Sequence, residues 1–208
     1  MFKRDGNLLY YGTKLGNLMW LQVLVIVTCL PVITVGPSLA AMHTVLLQLY
    51  RDEETSISKE FFAAFKANFK QATLIWLIYL AAFGLIVLDF MILAGTENLY
   101  VKMVLQLLPL PLIFLCVTLV WVFILQSRYE NTIWNTLKNS FLMFIYRLIP
   151  SIVMIILTAI PVFVILLLPS VFPVVLLLGM TVPGILCAAM YSKVFDHLEG
   201  VDRTQQQE

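Results

Sequence analysis

The chain has 208 residues, of which 61% are hydrophobic and 12% charged, with a formal net charge of +1 at pH 7. Soluble domains carry about a quarter charged residues, so this composition excludes an ordinary water-soluble globule, and the near-zero net charge excludes the concentrated basic patch that nucleic-acid binding requires. The three cysteines, Cys29, Cys116 and Cys187, stand singly in apolar runs, without the paired spacing of a zinc or redox motif, and each reads as a small buried or lipid-facing hydrophobe.

The pattern predicts an all-α, polytopic transmembrane bundle forming a single integral membrane domain over 1–208. Its first membrane element, about 17–49, lies in a stretch without Lys, Arg, Asp or Glu between Lys14 and Arg51. As one helix, Leu15 to Tyr50 would measure about 54 Å, too long for one perpendicular span and short for two. Pro31, Gly36 and Pro37 fall in the middle and predict a break at 31–37 between two helical arms, Leu18–Leu30 and Ser38–Leu49. A short hairpin dipping into the bilayer and a kinked helix that crosses both satisfy this pattern. Non-helical backbone at membrane depth needs cover, so Thr34 and the backbone up to Ser38 should face other helices. There they would cap one another, or serve a ligand or ion at the half-helix ends. Ser38-Leu39-Ala40 resembles a small-x-small cleavage site. Against cleavage stand the late start of the apolar run and the membrane character of everything downstream.

Residues 58–70 carry helical periodicity, with Phe61, Phe62, Phe65 and Phe69 on one face and Lys59, Lys66 and Lys70 opposite. This predicts an amphipathic helix at the cytoplasmic interface, its rings among acyl chains and its lysines near anionic lipid; the same pattern fits phenylalanines packed on the bundle. Further spans are predicted at 73–95, 103–125, 148–168 and 174–192, the last two separated by a turn at Leu168-Pro169-Ser170-Val171-Phe172-Pro173. Basic-rich connections (50–72, 128–147, the C-terminus) alternate with basic-poor ones (96–102, the Pro169 turn), which places the former in the cytoplasm. Residues 133–141, IWNTLKNSF, echo 61–69, FFAAFKANF, at an offset of 72, the signature of an internal repeat of a surface helix followed by two crossings.

Ionisable groups inside a bilayer are costly. Asp89 near the outer end of its span and His43 in the second arm are therefore the candidates for function, while Arg147 can snorkel to the interface. The chain has no H-E-x-x-H, G-x-S-x-G or glycine-rich phosphate loop, so no catalytic, cofactor-binding or metal-ligating residue is expected, and no enzyme.

The run Gly16-Asn17-Leu18, then Cys29-Leu30-Pro31-Val32-Ile33-Thr34-Val35-Gly36-Pro37-Ser38-Leu39-Ala40-Ala41-Met42, and Phe61 to Ala72 with its Phe-Lys-x-Asn-Phe-Lys-Gln, resembles the YesL-like family of bacterial integral membrane proteins, a domain of unknown function. The resemblance implies a protein of the bacterial cytoplasmic membrane, often encoded beside oligosaccharide uptake systems, and carries no catalytic residues over. Two functional classes follow. One is an accessory component linked to oligosaccharide uptake, with a sugar permease or a second copy as partner; the other is a small transporter or channel acting alone or as an oligomer.

Overall fold

Proline positions set most of the element boundaries. The computed structural model describes residues 2–53, 56–94, 103, 107, 109–129 and 131–205, and among these there is no strand. Helix α1, Phe2–Cys29, stops where Leu30 precedes Pro31, because a residue before proline is pushed out of the helical region. A single 3-10 turn, Val32–Thr34, leads into α2, Val35–Tyr50. Pro37 is tolerated there because it sits in the first turn of α2, where no intrahelical donor is missed. Gly36 and Pro37 are thus helical, and the break occupies 30–34 instead of 31–37.

The arms fold back on each other as a hairpin, and each arm is long and apolar enough to cross a membrane. Tyr10 and Lys14 of α1 both reach Asp52, just beyond α2: the Tyr10 hydroxyl donates at 2.6 Å and the Lys14 ammonium at 2.8 Å. The two arms therefore run antiparallel and their outer ends lie on one side. Asp52 has φ 53, the left-handed region that Asp tolerates better than most side chains. The Glu53 N–H returns to the Gln48 carbonyl at 3.1 Å, closing the end of α2.

Helix α3, Ile57–Ala94, is continuous for 38 residues, about 57 Å. The predicted interface helix is therefore not a separate element but the first third of a long one. Phe61 is fully buried in the core and Phe65 packs against it, while Phe62 and Phe69 stay exposed and Lys59, Lys66 and Lys70 face outward. The stretch at 133–141 behaves differently. It lies in α5, Ile133–Tyr146, which ends at Arg147 before α6, Leu148–Leu167. Pro150 supplies no N–H to the Tyr146 carbonyl and crowds it, so the helix parts there. At the offset of 72 the corresponding residue of α3 is Ile78, which permits continuity.

Between them lies α4, Pro109–Gln126. The predicted connection 96–102, and residues 104–106 and 108 of the span predicted from Met103, fall outside the described residues. The last predicted span, 174–192, is divided. After the 3-10 turn Pro169–Val171, α7, Phe172–Leu178, and α8, Thr181–Gln205, are bent by 50° at Gly179–Met180. Pro183 is the cause: it cannot donate to the Gly179 carbonyl four residues back, and its ring pushes that carbonyl aside. Five described helices are long and apolar enough to cross a membrane, and the bent α7–α8 pair, if counted as one broken span, makes a sixth.

Helix α2 is the central element, packed against α1, α3, α4 and α8. Leu21, Val25, Val45, Leu46, Trp121, Tyr191 and Phe195 fill the main core, and a second cluster joins Ala40, Ala72, Ile75, Tyr79 and Phe123. Buried polar groups tie helices together: Tyr79 donates to Thr118 at 2.7 Å and Trp121 to Ser151 at 2.8 Å. Arg51 pairs with Asp196 at 2.6 Å, the Thr44 hydroxyl reaches the Ser127 carbonyl at 3.3 Å, and Tyr129 packs edge-on against Phe195. The segments after α2, between α4 and α5, and late in α8 thus gather at one end, together with Tyr10 and Lys14.

The Asp52 ties carry a pH dependence. Hydrogen bonds from Lys14 and then Tyr10 hold its carboxyl below the usual carboxylate value. A depressed value stabilises the fold fully above the unfolded pKa of about 3.9 and loses that contribution as pH falls through the folded one. The stability difference between wild type and Asp52→Asn, measured by thermal unfolding in detergent, should be present at neutral pH and fade as acid carries the carboxyl through its folded value, below the unfolded one. A difference that persists unchanged in acid would assign it to backbone preference at residue 52.

Candidate functional site

A cavity of ≈ 280 Å³ lies among α2, α4, α6 and the α7–α8 bend. Leu39, Met42 and His43 line it from α2, Phe123 from α4, Thr158 from α6 and Cys187 from α8. The helical spacing of Leu39, Met42 and His43 puts them on one face of α2, and the bend at Gly179 opens the space they face. The Thr158 hydroxyl is occupied by its own helix, 2.9 Å from the Met154 carbonyl. Tyr191 stacks edge-on against the His43 ring with centroids 5.8 Å apart, and its hydroxyl donates to the His43 carbonyl at 3.2 Å. His43 Nδ1 is buried with no hydrogen-bond partner among the described residues, Cys187 included. The imidazole is therefore the polar group this cavity offers. Among the described residues no carboxylate and no nucleophilic side chain is bonded to that nitrogen. Among the described residues no three His, Cys, Asp or Glu side chains converge on a metal position.

The other sequence-predicted residues lie elsewhere. Pro31 is exposed in the hairpin tip. Thr34 bridges the arms: its hydroxyl lies 2.6 Å from the Thr28 carbonyl and 2.7 Å from that of Pro31, satisfying one of the acceptors that the end of α1 leaves open. Trp76 of α3 donates to the Val32 carbonyl at 2.7 Å, which covers the tip on one side. Gly36 and Pro37 are buried in α2. A Cβ on Gly36 would stand 2.4 Å from the Ala72 carbonyl oxygen and 2.8 Å from Trp76 Cβ, so the glycine serves a close approach of α2 to α3. No positive φ is involved. Asp89 is exposed on α3 and does not line the His43 cavity. Phe65, Phe69, Lys66 and Lys70 border a separate shallow groove on α3. The structure thus does not assemble the hairpin tip, His43 and Asp89 into one site.

Gln22 escaped the sequence reading. Its side-chain oxygen accepts from the N–H groups of Met180 at 3.2 Å and Thr181 at 3.1 Å, capping α8 at the bend. A lone glutamine inside the apolar run of α1 was the available signal.

Apolar helices of this length, with the ion pairs at one end of the bundle and an interior of aliphatic and aromatic side chains, define a multi-pass membrane protein. Residues 15–90, from the middle of α1 to near the end of α3, match the family described as "Protein of unknown function, DUF624". The matched stretch contains the hairpin tip, Gly36 and the Ala72 approach. Comparison with curated proteins and with solved structures returned no match.

Proposed function

We propose that this protein is a non-enzymatic accessory component of the bacterial cytoplasmic membrane, linked to oligosaccharide uptake, that acts by holding a partner permease and not by conducting solute itself. The observation that carries the choice between conduit and accessory is the His43 cavity, whose lining is almost wholly apolar. A sugar needs several hydrogen-bonding side chains along its path, because each hydroxyl left unpaired in an apolar site costs about 1–3 kcal/mol. Elsewhere in the bundle the buried hydroxyls and indoles of Tyr79, Thr118, Trp121 and Ser151 are engaged with neighbouring helices. The link to oligosaccharides rests on the YesL-like resemblance. Copurification with an oligosaccharide permease from cross-linked membranes is the expected result. Oligosaccharide flux into liposomes containing this protein alone would overturn the reading in favour of a transporter or channel.

The proposal includes an orientation, with the ion-paired end and the C-terminus in the cytoplasm. In a background lacking Cys29, Cys116 and Cys187, single cysteines at Tyr11, Ser56 and Asn135 should react with an impermeant thiol reagent only after the membrane is opened. A cysteine at Ser170 should react from outside intact cells. Opposite behaviour of positions 11 and 56 would contradict the hairpin, and outside labelling at both would invert the orientation.

A further inference from the structure

A second cavity, of ≈ 480 Å³, lies between the α5–α6 junction and α8, lined by Arg147, Pro150, Met190, Lys193 and His197 among others. Three cationic or protonatable side chains meet there, and among the described residues no acidic side chain lines it. The nearest acid in sequence, Asp196, is engaged at 2.6 Å by Arg51 and also accepts from Ser192 at 3.4 Å. Among the described residues, no ion pair or hydrogen bond holds the side chains of Arg147, Lys193 or His197. Like charges brought together without a counter-charge repel, so the arrangement is favourable only when an anion joins it.

The backbone adds to the same preference. The first turn of α6 borders the cavity through Arg147 and Pro150, and Arg147 makes no side-chain cap there. In that turn Pro150 has no N–H and the Ser151 N–H bonds the Arg147 carbonyl at 3.0 Å, which leaves the N–H groups of Leu148 and Ile149 without a partner in their own helix. Beside the cavity the surface turns apolar: Tyr146 and Ile149 are each 78% exposed, and Ile145 and Leu148 are also exposed. The cavity sits at the ion-paired end of the bundle, the level of Arg51 and Asp196, so its cations stand where lipid phosphates lie.

We propose that this cavity binds the phosphate headgroup of an anionic phospholipid, with Arg147, Lys193 and His197 around the phosphate and the acyl chains running along the exposed flank of α6. Cationic pockets between membrane helices recognise such headgroups by charge, and the guanidinium of Arg147 can engage phosphate through two parallel N–H donors. The inference rests on the membrane assignment and is independent of any partner permease.

The test uses the purified full chain in nanodiscs, with lipid binding read by native mass spectrometry and by thermal shift. Wild type should retain phosphatidylglycerol over phosphatidylcholine by about 5-fold or more, since one basic residue near a lipid surface is worth roughly that factor. Arg147→Gln and Lys193→Gln should each reduce the preference by about 5-fold without changing unfolding in phosphatidylcholine. The Lys193→Gln change lies on an exposed position and keeps the test valid if the α5–α6 junction proves sensitive. Charge removal at Lys59, Lys66 and Lys70 should leave the preference in place. Equal preference in wild type and both variants, or equal loss on removing the three α3 lysines, would overturn the proposal. Displacement of the lipid by millimolar inorganic phosphate would assign the site to a soluble anion and overturn it as well.

Discussion

Gly36→Val should abolish most accumulation of folded protein in the membrane. Even the first added carbon would lie 2.4 Å from the Ala72 carbonyl oxygen and 2.8 Å from Trp76 Cβ, both near the backbone of α3. Neither can swing aside like the far end of a flexible side chain, so α2 and α3 must separate. Overpacking of this kind costs about 1–3 kcal/mol and sometimes more, and separation would also draw Trp76 from the Val32 carbonyl at the hairpin tip. Gly84→Ala on α3 is the matched control. Nothing lies within 4 Å of its added carbon, and alanine favours the helix by about 1 kcal/mol, so that variant should equal or exceed wild type. Thr34→Val tests the tip separately and should cost about 1 kcal/mol. Thermal unfolding in detergent, beside the amount of folded protein in membranes, reads all three. A wild-type melting profile for Gly36→Val would mean that α2 and α3 do not approach as described.

Gln22→Met should destabilise by about 3 kcal/mol, near the top of the range for leaving buried donors unpaired. Methionine keeps the length and removes the acceptor, so the N–H groups of Met180 and Thr181, bonded at 3.2 and 3.1 Å, lose their partner. Thr181 is fully buried and water does not replace the amide. Pro183→Ala supplies the missing donor to the Gly179 carbonyl and lets α7 and α8 straighten, after which those N–H groups can find partners within one helix. The double variant should therefore be less destabilised than the sum of the two singles, by about 1 kcal/mol or more. Additive losses would show that Gln22 does not act through the bend.

The hairpin tip was legible because its cause is local. Pro31 ends a helix wherever the surrounding fold lies, and Thr34 caps within six residues of itself. Gly36 was legible only in part. Its place beside a proline suggested an unusual dihedral, whereas its use is the absence of a side chain against a helix that the sequence does not bring near. The bend in the last element follows from Pro183 and Gly179, four residues apart, by the same rule that located the first break. Phe61, Phe65 and Phe69 share a face as the periodicity predicts, but periodicity does not distinguish lipid from protein as the partner of an apolar face, and the core took Phe61. Gln22 stands out in its apolar run, but what it caps is not legible, because those groups lie 158 and 159 residues away along the chain. The cavity containing His43 was illegible for a related reason, since four separate helices shape it.

The closure of α1 against Asp52 has a consequence for how the chain enters a bilayer during synthesis. Because the arms return to the side from which they started, the residues between Lys14 and Arg51 can enter as a paired unit, whatever depth the tip reaches. None of the 36 residues from Leu15 to Tyr50 is charged. No ammonium or carboxylate of this segment must then be dragged through hydrocarbon, a passage that costs about 2.5–3.5 kcal/mol for each charge at the centre. The Lys14–Asp52 pair holds both ends of the hairpin on the side where they began, and the later helices assemble around a hairpin whose ends are already fixed.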